Sequence, residues 1–238
     1  MQVTGELDTT NANSETGAKY ALVDYNKYFD NAEVDKTPVE QLLLGVLNVP
    51  TGHIIVCDPL VGIYETNPLT RTVAPGQYPV NVCVAKPAEG ESHYALAKIE
   101  FRPARAVKWE MAVAAGQDLA ELQQPDEFFG FPVDAGLACF CDAETRGLYN
   151  QFATQLHQNS SVAFNIYNDF FAAQFKKNAV NPADPKDIGD WLNFYLPNNP
   201  AHNILMFVSG NGDGAYPCFW GISEQGEVCS LVIDFFVL

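Results

Sequence analysis

The segment Ser209-Gly-Asn-Gly-Asp-Gly-Ala-Tyr-Pro-Cys-Phe-Trp-Gly221 leads into Ile-Ser-Glu-Gln-Gly226 and then into the apolar run from Glu227 to Leu238. Gly210, Gly212 and Gly214 admit backbone angles that other residues resist, and Asp213 sits at the crest. Tyr216-Pro217 then opens an aromatic strand. This pattern commits the C-terminal region to a glycine-rich acidic loop feeding a β-hairpin. A turn through Ser223 to Gly226 pairs Ile222 with Glu227, Trp220 with Cys229 and Cys218 with Leu231. In that register Cys218 and Cys229 are diagonal neighbours roughly 7 Å apart, too far for a relaxed disulfide.

Upstream, the same reading yields more strands. Val46 to Val49 and His53 to Cys57 flank the turn Pro50-Thr51-Gly52, and Gln77 to Lys86, His93 to Arg102 and Ala104 to Val113 form an antiparallel meander. Phe131 to Cys141 reads as one strand and Asn203 to Ser209 as another. Thr37-Pro38-Val39-Glu40 has the residue types of a capping box and predicts a short helix over Val39 to Leu44, stopped by Gly45. Asp142 predicts a cap for a helix from Ala143 to Gln158, with Leu148, Phe152 and Leu156 on its stripe. A second late helix is expected over Phe164 to Lys177. A third starts at Asp184-Pro185, with Ile188, Trp191 and Leu192 inward. The fold class is α+β, a mainly antiparallel sheet of about nine strands with two or three helices, mostly within residues 142–195. Residues 1–18 read as a polar arm, and the whole of 1–238 as one domain.

Composition narrows the function classes. Hydrophobic residues make up 47% of the 238, ample for a core, and no apolar run approaches the roughly 20 residues of a membrane helix. The opening Met1-Gln-Val-Thr-Gly-Glu-Leu-Asp has neither the basic nor the apolar block of a signal peptide, so a cytoplasmic setting without membrane association is expected. The six cysteines, at 57, 83, 139, 141, 218 and 229, fall mostly within apolar runs, as buried reduced thiols do. A net charge of −16 argues against nucleic-acid binding and points to a basic partner or to none. The acids are uneven: Glu110 to Asn150 carries eight with a single Arg. Arg102, Arg105 and Lys108 form a small basic island, read as neutralising nearby carboxylates or as holding an anion.

Aspartates recur beside turns, at Asp58, Asp134, Asp142, Asp213 and Asp234. Converging carboxylates hold Mg²⁺ or Ca²⁺ or supply acid and base, whereas single ones form turns and caps. Asp134 and Asp234 interrupt apolar strands, so burial obliges each to find a donor, a loop amide or Arg102 or Arg105. The four histidines show no metal-ligand spacing, and Gly210-x-Gly-x-Gly214 lacks the Lys-Ser/Thr ending of a phosphate loop. No cofactor and no metal site is expected.

Taken together, Cys57-Asp-Pro-Leu60, Pro75-Gly-Gln-Tyr-Pro-Val80, Val133-Asp-Ala-Gly136, Gly212-Asp-Gly-Ala-Tyr-Pro-Cys-Phe-Trp-Gly221 and Leu231-Val-Ile-Asp-Phe235 resemble a family of mostly bacterial proteins catalogued only as a domain of unknown function. The resemblance covers about residues 40–238 and implies fold unity and a bacterial cytoplasmic setting, with no catalytic residue. The Gly-Asp-Gly-aromatic loop followed by Gly226-Glu-Val228 is also similar to the ending of some bacterial immunity proteins. Three readings follow. The first is a non-enzymatic interaction module, of immunity type, binding a basic partner through an acidic surface. The alternatives are a metal-assisted hydrolase using Asp58, Asp134 and Asp213, and a small-ligand binder with Tyr78, Tyr216 and Trp220 around Arg102.

Overall fold

The computed structural model describes residues 19–124, 126–160 and 163–238; the polar arm expected at 1–18 lies outside them. Among the described residues twelve strands form two antiparallel sheets. The larger sheet holds β1 (Glu33–Val34), β2 (Thr37–Val49), β4 (Gly76–Ala85), β5 (His93–Glu100), β12 (Val228–Asp234), β11 (Gly214–Ser223) and β6 (Ala106–Met111) in that spatial order, with β7 (Gly130–Val133) also paired to β11. The smaller sheet runs β3 (Ile54–Cys57), β8 (Leu137–Asp142), β10 (Asn199–Val208) and β9 (Trp191–Leu196).

The alternation of side chains along a strand explains the layering. Ile54, Val56, Ala138, Phe140, Leu205 and Phe207 point from the smaller sheet into a shared core with Val80, Val82, Ile99, Trp220, Leu231 and Ile233 of the larger one. Their chain neighbours Ile55, Cys57, Cys139, Cys141, Ile204 and Met206 face the other way, against Tyr149, Ala153, Phe171 and Phe175 of the helices. Because both faces of this sheet are covered, its strands read as nearly unbroken apolar runs. The outer face of the larger sheet carries Cys83, Leu96, Trp109, Phe219 and Val232, and is covered by Tyr25, Tyr28, Phe29 and Val34. Tyr28 and Phe29 belong to a short helix, α1 (Asn26–Asp30), which the sequence reading lacked.

Helix α2 (Ala143–Gln158) starts where expected, with the Asp142 side chain accepting from the Glu144 amide at 2.9 Å. Its fully buried stripe is Thr145, Tyr149 and Ala153, with Leu148 and Phe152 only partly buried beside it. A second helical stretch comprises a π turn at Tyr167–Phe171, α3 (Ala172–Phe175) and a 3-10 turn at Lys176–Asn178. The six cysteines are free and buried.

Five local expectations are corrected. The expected three-strand meander stops at β5, which pairs with β12, while β6 pairs with β11. Residues 39–44 are not a helix; they lie within β2, whose ladder to β4 runs from Val39↔Ala85 to Val49↔Gly76 and outweighs a capping signal of about 1 kcal/mol. Phe131 to Cys141 is two strands, because Asp134 to Gly136 carries the chain from one sheet to the other. No helix begins at Asp184. Trp191 and Leu192 instead open β9, and Ile188 is exposed. In the terminal hairpin Trp220 faces Leu231 and Cys218 faces Ile233, two residues away from the expected register, with a bulge at Gly221/Ile222. The turn supplies the first residue of the shift, since Ile222 faces Val228 and not Glu227, and the extra residue at the bulge supplies the second. The bulge also places Cys229 in the outer cluster while Cys218 faces the inner core.

Candidate functional site

The aspartate motifs meet where the chain passes between the sheets. Asp58, 1% exposed, follows β3 and accepts four backbone N–H groups: Leu60 and Val61 on Oδ1 at 2.8 and 3.2 Å, and Asp134 and Ala135 on Oδ2 at 3.0 and 2.8 Å. The next amide, Gly136, donates to Asp213 Oδ1 at 3.0 Å, and its carbonyl accepts from the Ser209 amide at 3.1 Å. Gly136 and Gly212 both have positive φ, 64° and 102°, so the two crossing loops fold tightly enough to exchange these bonds. The Tyr216 hydroxyl donates toward the carbonyls of Gly212 and Ser209, at 2.8 and 3.2 Å.

This seam unites Asp58, the Asp134 backbone, Asp213 and Tyr216, yet it assembles no bare carboxylate cluster. Both oxygens of Asp58 are taken by amides. The Asp134 side chain is exposed and needs no buried donor, which corrects the sequence reading. Among the described residues no three His, Cys, Asp or Glu side chains gather as a bound cation needs. The hydrolase geometry of Asp58, Asp134 and Asp213 around an open coordination position is therefore not built.

Trp220 and Arg102 lie elsewhere. Trp220 is in the inter-sheet core beside Phe101, ring centroids 6.0 Å apart, and Phe101 meets Tyr78 at 5.0 Å. Arg102 is an exposed partner of Glu227 and touches neither Asp134 nor Asp234. Arg105 pairs with Asp30 and Asp24, and Lys108 with Glu110 at 2.8 Å, so the basic island is spent on local carboxylates. Asp234 finds its donors in Tyr25 Oη at 2.9 Å and the Phe236 amide at 2.9 Å. Burial holds its carboxyl above the usual aspartate range, against the lowering effect of those two hydrogen bonds.

Beside the seam opens a cleft of about 250 Å³. Its walls come from Val56, from Thr66 to Leu69, from Ala112 to Gln117, from Phe129 to Pro132, and from Tyr216 and Cys218 of β11. It lies where β6 and β7 diverge: Ala112 still donates to Cys218 O at 2.8 Å, while Phe131 pairs with Tyr216. Asn67, Gln117 and Thr66 each hold a wall through one hydrogen bond. Asn67 Nδ2 donates to Ala115 O at 3.3 Å, Gln117 Oε1 accepts from the Ala114 amide at 2.8 Å, and Thr66 Oγ1 donates to Gly62 O at 2.9 Å. Burial pushes the Cys218 thiol above its usual range, which disfavours the nucleophilic thiolate. What remains is an apolar recess with no group free for acid, base or nucleophilic work.

The stretch that supplies most of its walls is acidic, and two cations border it: Arg146 donates to the Thr66 carbonyl, and Lys19 to those of Gln124 and Glu127. No Lys or Arg occurs between Lys108 and Arg146, which bound that stretch. Asp118, Glu121, Asp126, Glu127 and Asp134 in that stretch are all exposed. Amides of Gln124 and Gln123 donate to Glu127 and hold its carboxyl below the usual range. The sequence reading noted the acid surplus but missed Phe128, Phe129 and Asn67. The Phe-Phe pair beside Asp126-Glu127 was the available signal.

A family model described as "Protein of unknown function (DUF4241)" matches residues 47–233. No curated protein and no solved structure matches the chain.

Proposed function

Because the chain belongs to this family of unknown function, no activity comes to it by kinship, and we propose from its own geometry that it is a non-enzymatic protein-interaction module. The partner is a basic protein, and the docking site is the cleft at the divergence of β6 and β7. One observation carries this reading: an apolar recess whose nearby polar side chains are engaged in its walls, set in a base-free stretch of exposed carboxylates. An apolar side chain of the partner would fill the recess, and flanking Lys or Arg residues would meet the acids, gaining association rate and specificity. A bacterial cytoplasmic setting and an immunity-type role fit the six reduced thiols and the net charge of −16. The same charge disfavours nucleic acid as the partner. No helix among the described residues is long and apolar enough to cross a membrane.

Selection of a random peptide display library on the immobilised protein tests the chemistry. Enrichment of peptides with Lys or Arg flanking a large apolar residue is expected. A consensus of acidic or uncharged peptides would contradict the proposal.

A further inference from the structure

Phe128 and Phe236 stand side by side at the surface, 36% and 47% exposed, with ring centroids 5.3 Å apart and planes 55° from parallel. Neither exposure is accidental in its backbone. Phe236 has φ +54°, a left-handed conformation that is strained for a bulky residue, and its amide is held by Asp234 Oδ1 at 2.9 Å. The ring of Phe128 lies over Gly130, where a Cβ would sit 3.0 Å from Phe128 Cε2. The pair continues into the cleft through Tyr216, 6.3 Å from Phe236 and 6.3 Å from Phe131. Strained backbone, a bare glycine and two exposed rings thus extend an aromatic row from the recess to solvent.

The electrostatics of this row favour a cation. Asp126 and Glu127 immediately precede Phe128 and are exposed. The neighbouring backbone already holds one ammonium, Lys19 Nζ, on the carbonyls of Gln124 and Glu127 at 2.6 and 3.2 Å. Elsewhere the protein places its own cations over rings: Lys98 over Phe29 at 4.2 Å, Lys27 over Tyr28 at 4.9 Å and Lys108 over Tyr20 at 5.4 Å. Among the described residues no cation lies over Phe128 or Phe236. Of the two basic side chains, the planar, weakly hydrated guanidinium stacks better on a tilted aromatic pair.

We infer that the Phe128–Phe236 pair is a recognition subsite for an arginine side chain of the partner, adjoining the cleft and resting on the interaction reading above. The guanidinium lies against the two rings with its N–H groups toward Asp126, and the neighbouring apolar side chain enters the recess.

The test uses methylguanidinium chloride as probe, titrated into the full chain at constant ionic strength, with its methyl proton resonance read by NMR. A saturable upfield shift is expected in the wild type and in the cleft-filling variant Ala115→Trp. It is lost in Phe128→Leu/Phe236→Leu and retained in Phe128→Tyr/Phe236→Tyr, which keeps two rings. No saturable shift in the wild type, or a shift that survives the double leucine variant, overturns the subsite. Should the shift fail while selected peptides still depend on Ala115, the subsite falls and the cleft reading stands. If the shift behaves as expected while peptide binding ignores Ala115→Trp, the subsite stands and the cleft is not the dock.

Discussion

Asp58 shows how a single carboxylate organises the junction of two sheets. Its four amide bonds tie the turn after β3 to the crossing loop at 134–135. Asn keeps the shape but has one accepting oxygen. Asp58→Asn therefore leaves amides unsatisfied in a buried site, and urea unfolding is expected to show a loss on the order of 2–4 kcal/mol. Asp213→Asn removes the charge from one exposed bond to Gly136 and should cost about 1 kcal/mol or less. Comparable losses for the two would refute this division of labour. Asp234 adds a pH dependence. Burial raises its folded-state pKa above the ordinary 3.8, so its contribution is fully present below that value and declines as pH rises through the folded pKa. Relative to Asp234→Asn, wild-type stability should fall as pH increases above about 4; a difference between the two that is flat with pH would contradict the account.

Among elements, legibility followed the range of the determining contacts. The cap of α2 and the existence of the terminal hairpin were readable because Asp142, Ser223 and Gly226 act within a few residues. Only the end of β2, Val46 to Val49, was readable as strand; over residues 39–44 the local signals at Thr37 to Glu40 favour a helix, and only the partner strand β4, some forty residues on, settles the matter. The hairpin register failed for a related reason. The bulge at Gly221 answers to close packing, where a Cβ would meet Ser230 Oγ at 2.3 Å and Trp109 Cζ3 at 2.8 Å, and no motif announces it. Gly45 makes a second such point in β2, with φ +132° at a register shift. Gly45→Ala is expected to destabilise by about 1–3 kcal/mol in thermal or urea unfolding, through backbone strain and displacement of Asn193. An unchanged midpoint would show that the bulge relaxes freely.

In the molecule as a whole, the larger sheet and the smaller sheet share one core, and the loops that pass between them carry most of the aspartate motifs. The sequence placed those motifs beside turns but not in space, because Asp58, Asp134 and Asp213 are brought together only by the pairing of distant strands. The cleft was less legible still: its walls come from five separate stretches, and its apolar lining looks in sequence like ordinary core. What the chain did display was the run from Lys108 to Arg146 with acids and no intervening base. The central claim is that the recess beside this run docks a basic segment by an apolar side chain. It is tested most directly by measuring the affinity of one display-selected basic peptide for the wild type and for Ala115→Trp, each at low and high salt. Ala115 is exposed on the cleft wall, so the indole fills the recess without entering the core. The account predicts at least about tenfold weaker binding to the variant, roughly 1.4 kcal/mol, and weaker binding of both proteins at high salt. Equal affinity of the two proteins, independent of salt, would contradict it.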